Sequence, residues 1–310
     1  MRLVTRADFD GLVCGALITK FETIDAYLFV EPKFMQDGMV EIRRGDIIAN
    51  LPYHPNCTLW FDHHITNTTQ DFPKPIMPGK GGFRLAPSAA RVVCEYYTET
   101  AQAAGSEGPA RLAFLTTPRM VHLLHETDRI DAGKLTPEDV LNPQGYVLIS
   151  MTTDGKRAED EPYWLHVIRL LRDATLEEAM NDSEVAKRCQ QVLDDQEKLK
   201  AILLERTTVE GNVIYVDLRG IKDIPEGNRF LLYTLFPAGN ISVKVAEDSQ
   251  RENTTAISVG YNIFNTTSNV NVGELLRHYG GGGHKVVGSC RVPNDKAERA
   301  IREIIAAVKE

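Results

Sequence analysis

The run Leu59-Trp60-Phe61-Asp62-His63-His64 constrains the fold of this chain more than any other stretch. Apolar residues lead straight into an acid and two adjacent imidazoles. A short apolar run reads as a buried strand, which places the polar triplet at its carboxyl end. In a parallel α/β sheet that end faces the ligand crevice. Asp and neutral His are ligand types that suit Mn, Fe or Zn. The same triplet also fits a solvated loop, so it needs partners elsewhere in the chain.

A first partner lies near the N-terminus. Met1 to Arg6 reads as a short strand around Arg-Leu-Val-Thr, and Ala7-Asp8-Phe9-Asp10-Gly11 then leads into the apolar, helix-like run Leu12 to Ile18. Asp8 and Asp10 therefore sit in a strand-to-helix turn, where they suit either a cation or the positive end of the helix dipole. Gly11 lets the backbone turn tightly.

The intervening sequence supplies more strands: Ala26 to Val30, Asp46 to Asn50, and Cys57 to Phe61. Strands alternating with helical segments predict β-α units and a parallel sheet. Residues 71–87 hold four prolines and three glycines and read as an irregular loop carrying Lys74, Lys80 and Arg84. Ser88 is placed to cap a helix from Ala89 to Thr100. One further helix is expected from about Ala110 to Glu126, followed by the acid-rich segment His125 to Gly133. Ser183 to Arg206 reads as a single long helix bridging two domains, after which strands recur at Val213–Val216, Ile241–Val245 and Ala256–Val259. The expected fold class is α/β. An N-terminal doubly wound, mainly parallel sheet is joined to a smaller C-terminal α/β domain with a mixed sheet. The domain boundaries read as 1–182, a linker helix 183–206, and 207–310.

Composition narrows the function. Of 310 residues, 43% are hydrophobic and 25% charged, an ordinary globular balance. The net charge of −8 argues against wrapping duplex nucleic acid, which needs a basic face. It leaves room for a small phosphorylated ligand in a locally basic pocket. No apolar run is long enough to span a bilayer, and the N-terminus begins with strand-like sequence rather than a signal peptide. The five cysteines are scattered, which fits free thiols in a reducing compartment. A cytoplasmic protein with no membrane partner is expected.

Near the C-terminus, Tyr279 is followed by four glycines, Gly280 to Gly283, and then by His284 and Lys285. Bare backbone amides can approach a phosphate closely. Gly281, Gly282, Gly283 and His284 are therefore candidate phosphate-binding residues, with a flexible turn as the alternative. Walker spacing is absent, so this is not a nucleoside-triphosphate P-loop.

In order and spacing, D-x-D-G, D-H-H, an acid beyond the helices and G-G-G-G-H resemble the DHH phosphoesterases with their C-terminal DHH-associated domain. The resemblance covers nearly the whole chain. It implies a two-metal hydrolase, usually using Mn2+, with Mg2+ as the alternative. Its substrate would be a short oligonucleotide, a nucleoside bisphosphate or a short polyphosphate, cleaved in a cleft between the domains. Short single-stranded nucleic acid is a compatible partner, as is a second copy in a homodimer.

Carried onto this chain, the resemblance makes Asp8, Asp10, His63 and Asp128 metal ligands, with Asp131 as the alternative to Asp128. Asp62, His63 and His64 form the catalytic triplet. Two positions depart from the family pattern: Arg6 stands near the place of a His, and Asn50 stands where the family has an Asp. The expectation is one weakened metal position, with one ion or two left open. Arg6 and Asn50 then become substrate contacts, and His125 a further candidate ligand. The competing function is a DHH fold that has lost turnover and senses a nucleotide or phosphate.

Overall fold

The structure, a computed structural model, describes residues 1–64, 80–103, 108–153, 157–248 and 250–309. It divides into two compact units, one formed by Met1–Leu135 with Pro143–Gln190, the other by Thr136–Asn142 with Gln191–Glu310. The division falls inside the long helix, within the stretch 183–206 read as the linker, and a short segment before Pro143 counts with the second unit.

In chain order, the elements up to residue 131 are β1 (Arg2–Thr5), α1 (Phe9–Phe21), β2 (Ala26–Phe29), α2 (Pro32–Gln36), β3 (Asp46–Ala49), β4 (Leu59–Asp62), β5 (Gly81–Phe83), α3 (Ala89–Ala103), α4 (Gly108–Leu115) and α5 (Pro118–Asp131). Next come α6 (Pro137–Leu141), α7 (Gly145–Ser150), α8 (Glu161–Asp173), α9 (Leu176–Asn181) and α10 (Ser183–Arg206). The remainder is β6 (Thr207–Glu210), β7 (Val213–Asp217), α11 (Leu231–Leu235), β8 (Ile241–Glu247), β9 (Thr254–Tyr261), α12 (Val272–Arg277), β10 (Gly282–Gly283), β11 (Val287–Pro293) and α13 (Asn294–Val308).

The first unit carries a sheet ordered β2-β1-β3-β4-β5, with every described pairing parallel. The order reverses direction between β1 and β3, which in an open α/β sheet marks the crevice where ligands bind. β4 shows why the sheet is covered on both sides. Trp60 joins a cluster with Val4, Ile42, Ile48 and Leu51, and its Nε1 donates to the Leu51 carbonyl at 2.9 Å. Phe61, on the opposite face, packs against Tyr96 and Tyr97 of α3. Both aromatics are fully buried. Helix α1 is buried from Phe9 to Ile18, as expected of a helix apolar on every side. It packs against α3, α5, α8 and β1.

Two expectations for this unit are corrected. The helix read from Ala110 to Glu126 is two helices, because Pro118 cannot donate to the preceding turn. Thr117 instead caps α5, accepting from the Met120 amide. The acid-rich segment is then helical as far as Asp131. Gly81–Phe83, read as loop, is the edge strand β5. Lys74 lies outside the described residues. Arg84 is tied to α3 through Glu95 and Glu99.

The second unit holds a mixed six-stranded sheet, β10-β11-β9-β8-β7-β6, in which only the β7–β8 pairing among those described is parallel. Its core joins Val243, Val259 and Cys290 to the apolar face of α13. Among the described residues, no helix is long and apolar enough to cross a membrane.

The turn after β1 is tightly built. A methyl group at Gly11 would lie 2.3 Å from the Arg6 carbonyl oxygen and 2.9 Å from Thr5 Oγ1. Gly11→Ala is therefore expected to lower stability by about 1–3 kcal/mol, the usual cost of forcing atoms into a packed site. The check is the denaturant midpoint at unchanged slope; an unmoved midpoint would mean the turn has room.

Candidate metal centre

The carboxyl ends of β1, β3 and β4 bring the sequence motifs together. Asp8 is the N-cap of α1, and its Oδ1 accepts from the Gly11 amide and from Asn50 Nδ2, both at 2.9 Å. Its Oδ2 lies 2.6 Å from Arg6 Nη1. Both oxygens of Asp8 are thus engaged by the chain itself. Asn50 follows β3 with φ of 58°, a left-handed conformation that Asn tolerates better than most residues. It is buried, and among the described residues its Oδ1 has no hydrogen-bond partner.

Asp10 points to the start of α3. Its oxygens accept from the Ala89 and Ala90 amides at 2.8 Å each, where the helix's positive end favours a carboxylate. Ser88 caps the same helix, its Oγ accepting from the Arg91 amide as expected. Asp10 is only 2% exposed. Burial above all, then repulsion from Asp131 and Asp8, pushes its pKa well above the aspartate value.

The three residues of the D-H-H triplet do different things. Asp62 Oδ1 accepts from the His63 and His64 amides and from His64 Nδ1, so it fixes the turn out of β4. That hydrogen bond raises the pKa of the half-buried His64. His63 turns the other way. Its Nδ1 lies 2.9 Å from the Ala86 carbonyl. A carbonyl can only accept, so Nδ1 is the donor there, and in the neutral ring the lone pair then falls on Nε2. Nε2 is buried and, among the described residues, makes no hydrogen bond. It lies 3.2 Å from Asp131 Oδ2 and 3.9 Å from Asp10 Oδ2. An imidazole tied by one nitrogen to a carbonyl and open at the other is the arrangement of a metal ligand.

Asp10, His63 and Asp131 offer three ligand atoms within 4.8 Å of one another. Hard carboxylates with one imidazole match Mn2+ or Mg2+ better than a thiophilic ion. The residues therefore fit a divalent cation. Burial, followed by the charge of Asp8, raises the pKa of Asp131, while His63 opposes the shift.

The structure separates the two acids of α5. Asp128 is not in this group. Its Oδ1 accepts from Ser88 Oγ at 2.7 Å, and its Oδ2 from Arg91 Nε and Nη2 at 3.0 and 2.6 Å. Asp128 clasps α5 to α3, and Asp131, one turn on, is the acid presented to His63. His125 is exposed and paired with its neighbour Glu126, outside the cluster. Arg91 and the Ala86 carbonyl carried no signal in the sequence, because their roles arise from packing between distant segments.

The glycine run lies in the second unit. The Gly280 and Gly281 amides donate to the Arg277 and Leu276 carbonyls, and the His284 amide to Val287. The first two close the C-terminal turn of α12, and the third belongs to the β10–β11 hairpin. The glycines also permit close backbone approach: a methyl at Gly281 would lie 2.2 Å from the Ser289 carbonyl oxygen, and one at Gly283 2.3 Å from that of Val287. Gly282 faces open space, and the His284 and Lys285 side chains are exposed.

No protein-family model matches the sequence, and no curated protein matches it. Among solved structures, the chain is similar to PggH, a pGpG-specific phosphodiesterase from Vibrio cholerae, with 33% identity, 99% of each chain covered and a TM-score of 0.83. An exopolyphosphatase-related protein from Bacteroides fragilis is 11% identical, with 100% of this chain and 93% of that one covered and a TM-score of 0.50. RecJ from Thermus thermophilus, solved with Mn2+, is 15% identical over 98% of this chain and 52% of its own, with a TM-score of 0.51. The last two share the fold.

Raised carboxyl pKa values have a consequence for stability. Such a group favours the folded state below its unfolded value and withdraws that contribution as pH rises through the folded value. The metal-free protein should therefore lose stability, as pH rises above the aspartate value of 3.8, faster than Asp131→Asn does. Saturating Mn2+ should remove the difference. Melting temperatures across pH check this, and parallel curves for the metal-free proteins would contradict it.

Proposed function

This chain belongs to the DHH phosphoesterase family, and on that premise we propose that it is a divalent-metal-dependent phosphodiesterase that hydrolyses short linear dinucleotides of the pGpG type. Likeness to PggH along the whole chain supports the substrate class. The observation that carries the activity is His63 Nε2, buried, open and flanked by Asp10 and Asp131.

Asp10, His63 and Asp131 hold the cation in this reading. When bound, a divalent ion polarises a phosphoryl oxygen and lowers the pKa of water. Hydrolysis joins a water oxygen to phosphorus and breaks the ester bond to one nucleoside, whose departing oxygen takes up a proton. His64 is suited to supply that proton. Asp62 holds its Nδ1 and favours the charged ring, which leaves Nε2 for the leaving group. The amides at the start of α3 keep Asp10 oriented throughout.

Arg6 and Asn50 contribute substrate contacts at the same end of the sheet. In the second unit, Gly281, Gly282, Gly283 and His284 form the second candidate phosphate-binding element. With three neighbouring amides committed, recognition there falls to the exposed His284 and Lys285 side chains and to the open approach at Gly282.

The expected result with purified protein is Mn2+-dependent conversion of pGpG to GMP, followed by chromatography. Cyclic diguanylate, adenosine bisphosphate and polyphosphate serve as comparison substrates. His63→Ala should lose at least about 100-fold in activity, since even supporting residues of metal sites cost 10–100-fold. Asp128→Asn should lose less, because it removes a clasp and leaves the ligands in place. Equal losses would show that Asp128 binds the ion. No turnover of any of these substrates by Mn2+-loaded protein would favour a sensor.

A further inference from the structure

Next to the three-ligand cluster stands a positive group that belongs to the chain itself. Arg6 Nη1 lies 2.6 Å from Asp8 Oδ2, and Nη2 lies 3.4 Å from Glu31 Oε2 at the rim. Its Nε is buried and, among the described residues, has no hydrogen-bond partner. On the other side of Asp8, Asn50 donates to Oδ1 and holds its own unpartnered Oδ1 in the buried space. Asp8 is therefore already charge-compensated by Arg6, and a cation approaching its Oδ2 would meet the guanidinium 2.6 Å away.

Charge points the same way. Asp10 and Asp131 together balance one dication. Asp8 is balanced by Arg6, and Asp62 is held by two amides and His64. A second dication at Asp8 would have to enter a partly buried region supplied with a guanidinium and a neutral amide, and the other possible ligand group, Asp62 with His63 and His64, shares His63 with the first. Bringing uncompensated charge into such a place is costly.

We infer that the centre binds a single divalent cation, and that the Arg6 guanidinium, pinned by Asp8 and flanked by Asn50, stands in for a second cation by receiving a phosphoryl oxygen of the substrate. This rests on the phosphodiesterase reading above and specifies how that site meets an anion. A guanidinium suits the task because its fixed charge and planar donors match phosphate geometry. The unpartnered Nε is the donor the chain leaves open. Asn50 is equally particular to this arrangement. Asp would accept the same left-handed backbone, so the neutral side chain is not demanded by the turn.

The test is metal stoichiometry of the full-length protein, stripped and titrated with Mn2+, measured by equilibrium dialysis with elemental analysis and by electron paramagnetic resonance. One Mn2+ per chain with the spectrum of an isolated ion is expected. The double variant Arg6→His with Asn50→Asp should take up a second equivalent and show a spin-coupled spectrum. Arg6→Ala should raise KM for pGpG by about tenfold or more, the scale set by a lost charged hydrogen bond to phosphate. Two Mn2+ per wild-type chain would overturn the inference and leave the phosphodiesterase reading standing. No bound Mn2+ would overturn both. An unchanged KM in Arg6→Ala would remove Arg6 from the substrate.

Discussion

One buried and one partly buried carboxylate that face one histidine govern this structure. Asp10 and Asp131 approach His63 Nε2 from different elements. Left alone, they repel each other and resist ionisation. Such a group persists in a fold only if something else gains from it. A divalent cation resolves the conflict at once, by supplying charge to both acids and a partner to the open imidazole nitrogen.

The rest of the first unit holds those three groups at that distance. The parallel sheet delivers Asp10 after β1 and His63 after β4. Helix α3 steadies Asp10 with two amides. The Asp128–Arg91–Ser88 clasp joins α5 to α3 and so sets the position of Asp131. The Ala86 carbonyl selects the tautomer of His63. Each contact is ordinary alone, but together they keep a lone pair and two carboxylates converging in a desolvated place.

Much of this was legible in the sequence. The β1 turn with Asp8 and Asp10, the strand ending in Asp62-His63-His64, and the capping Ser88 could be read from pattern and turn chemistry. The choice between Asp128 and Asp131 could not. Three residues apart on one helix, both lie near the same face, and it takes Ser88 and the Arg91 side chain, folded in from α3, to distinguish their surroundings. The pairing of Asp8 with Arg6 was equally hidden, since an aspartate in such a turn fits ligand, cap or ion-pair roles alike. The glycine run shows the reverse problem. Its amides suggested a nest, yet the end of α12 and the hairpin use several of them, and the close backbone approach there leaves no room for side chains.

Family resemblance and local geometry thus carry different parts of the account. The resemblance gives the chemistry, and the side chains of this chain decide which acids take part. A crystal of the protein grown with Mn2+, with anomalous scattering recorded at the manganese edge, tests that most directly. The account predicts one peak within bonding distance of Asp10, His63 Nε2 and Asp131, with Asp128 still held by Arg91. A peak bound by Asp128, or none beside His63, would contradict it.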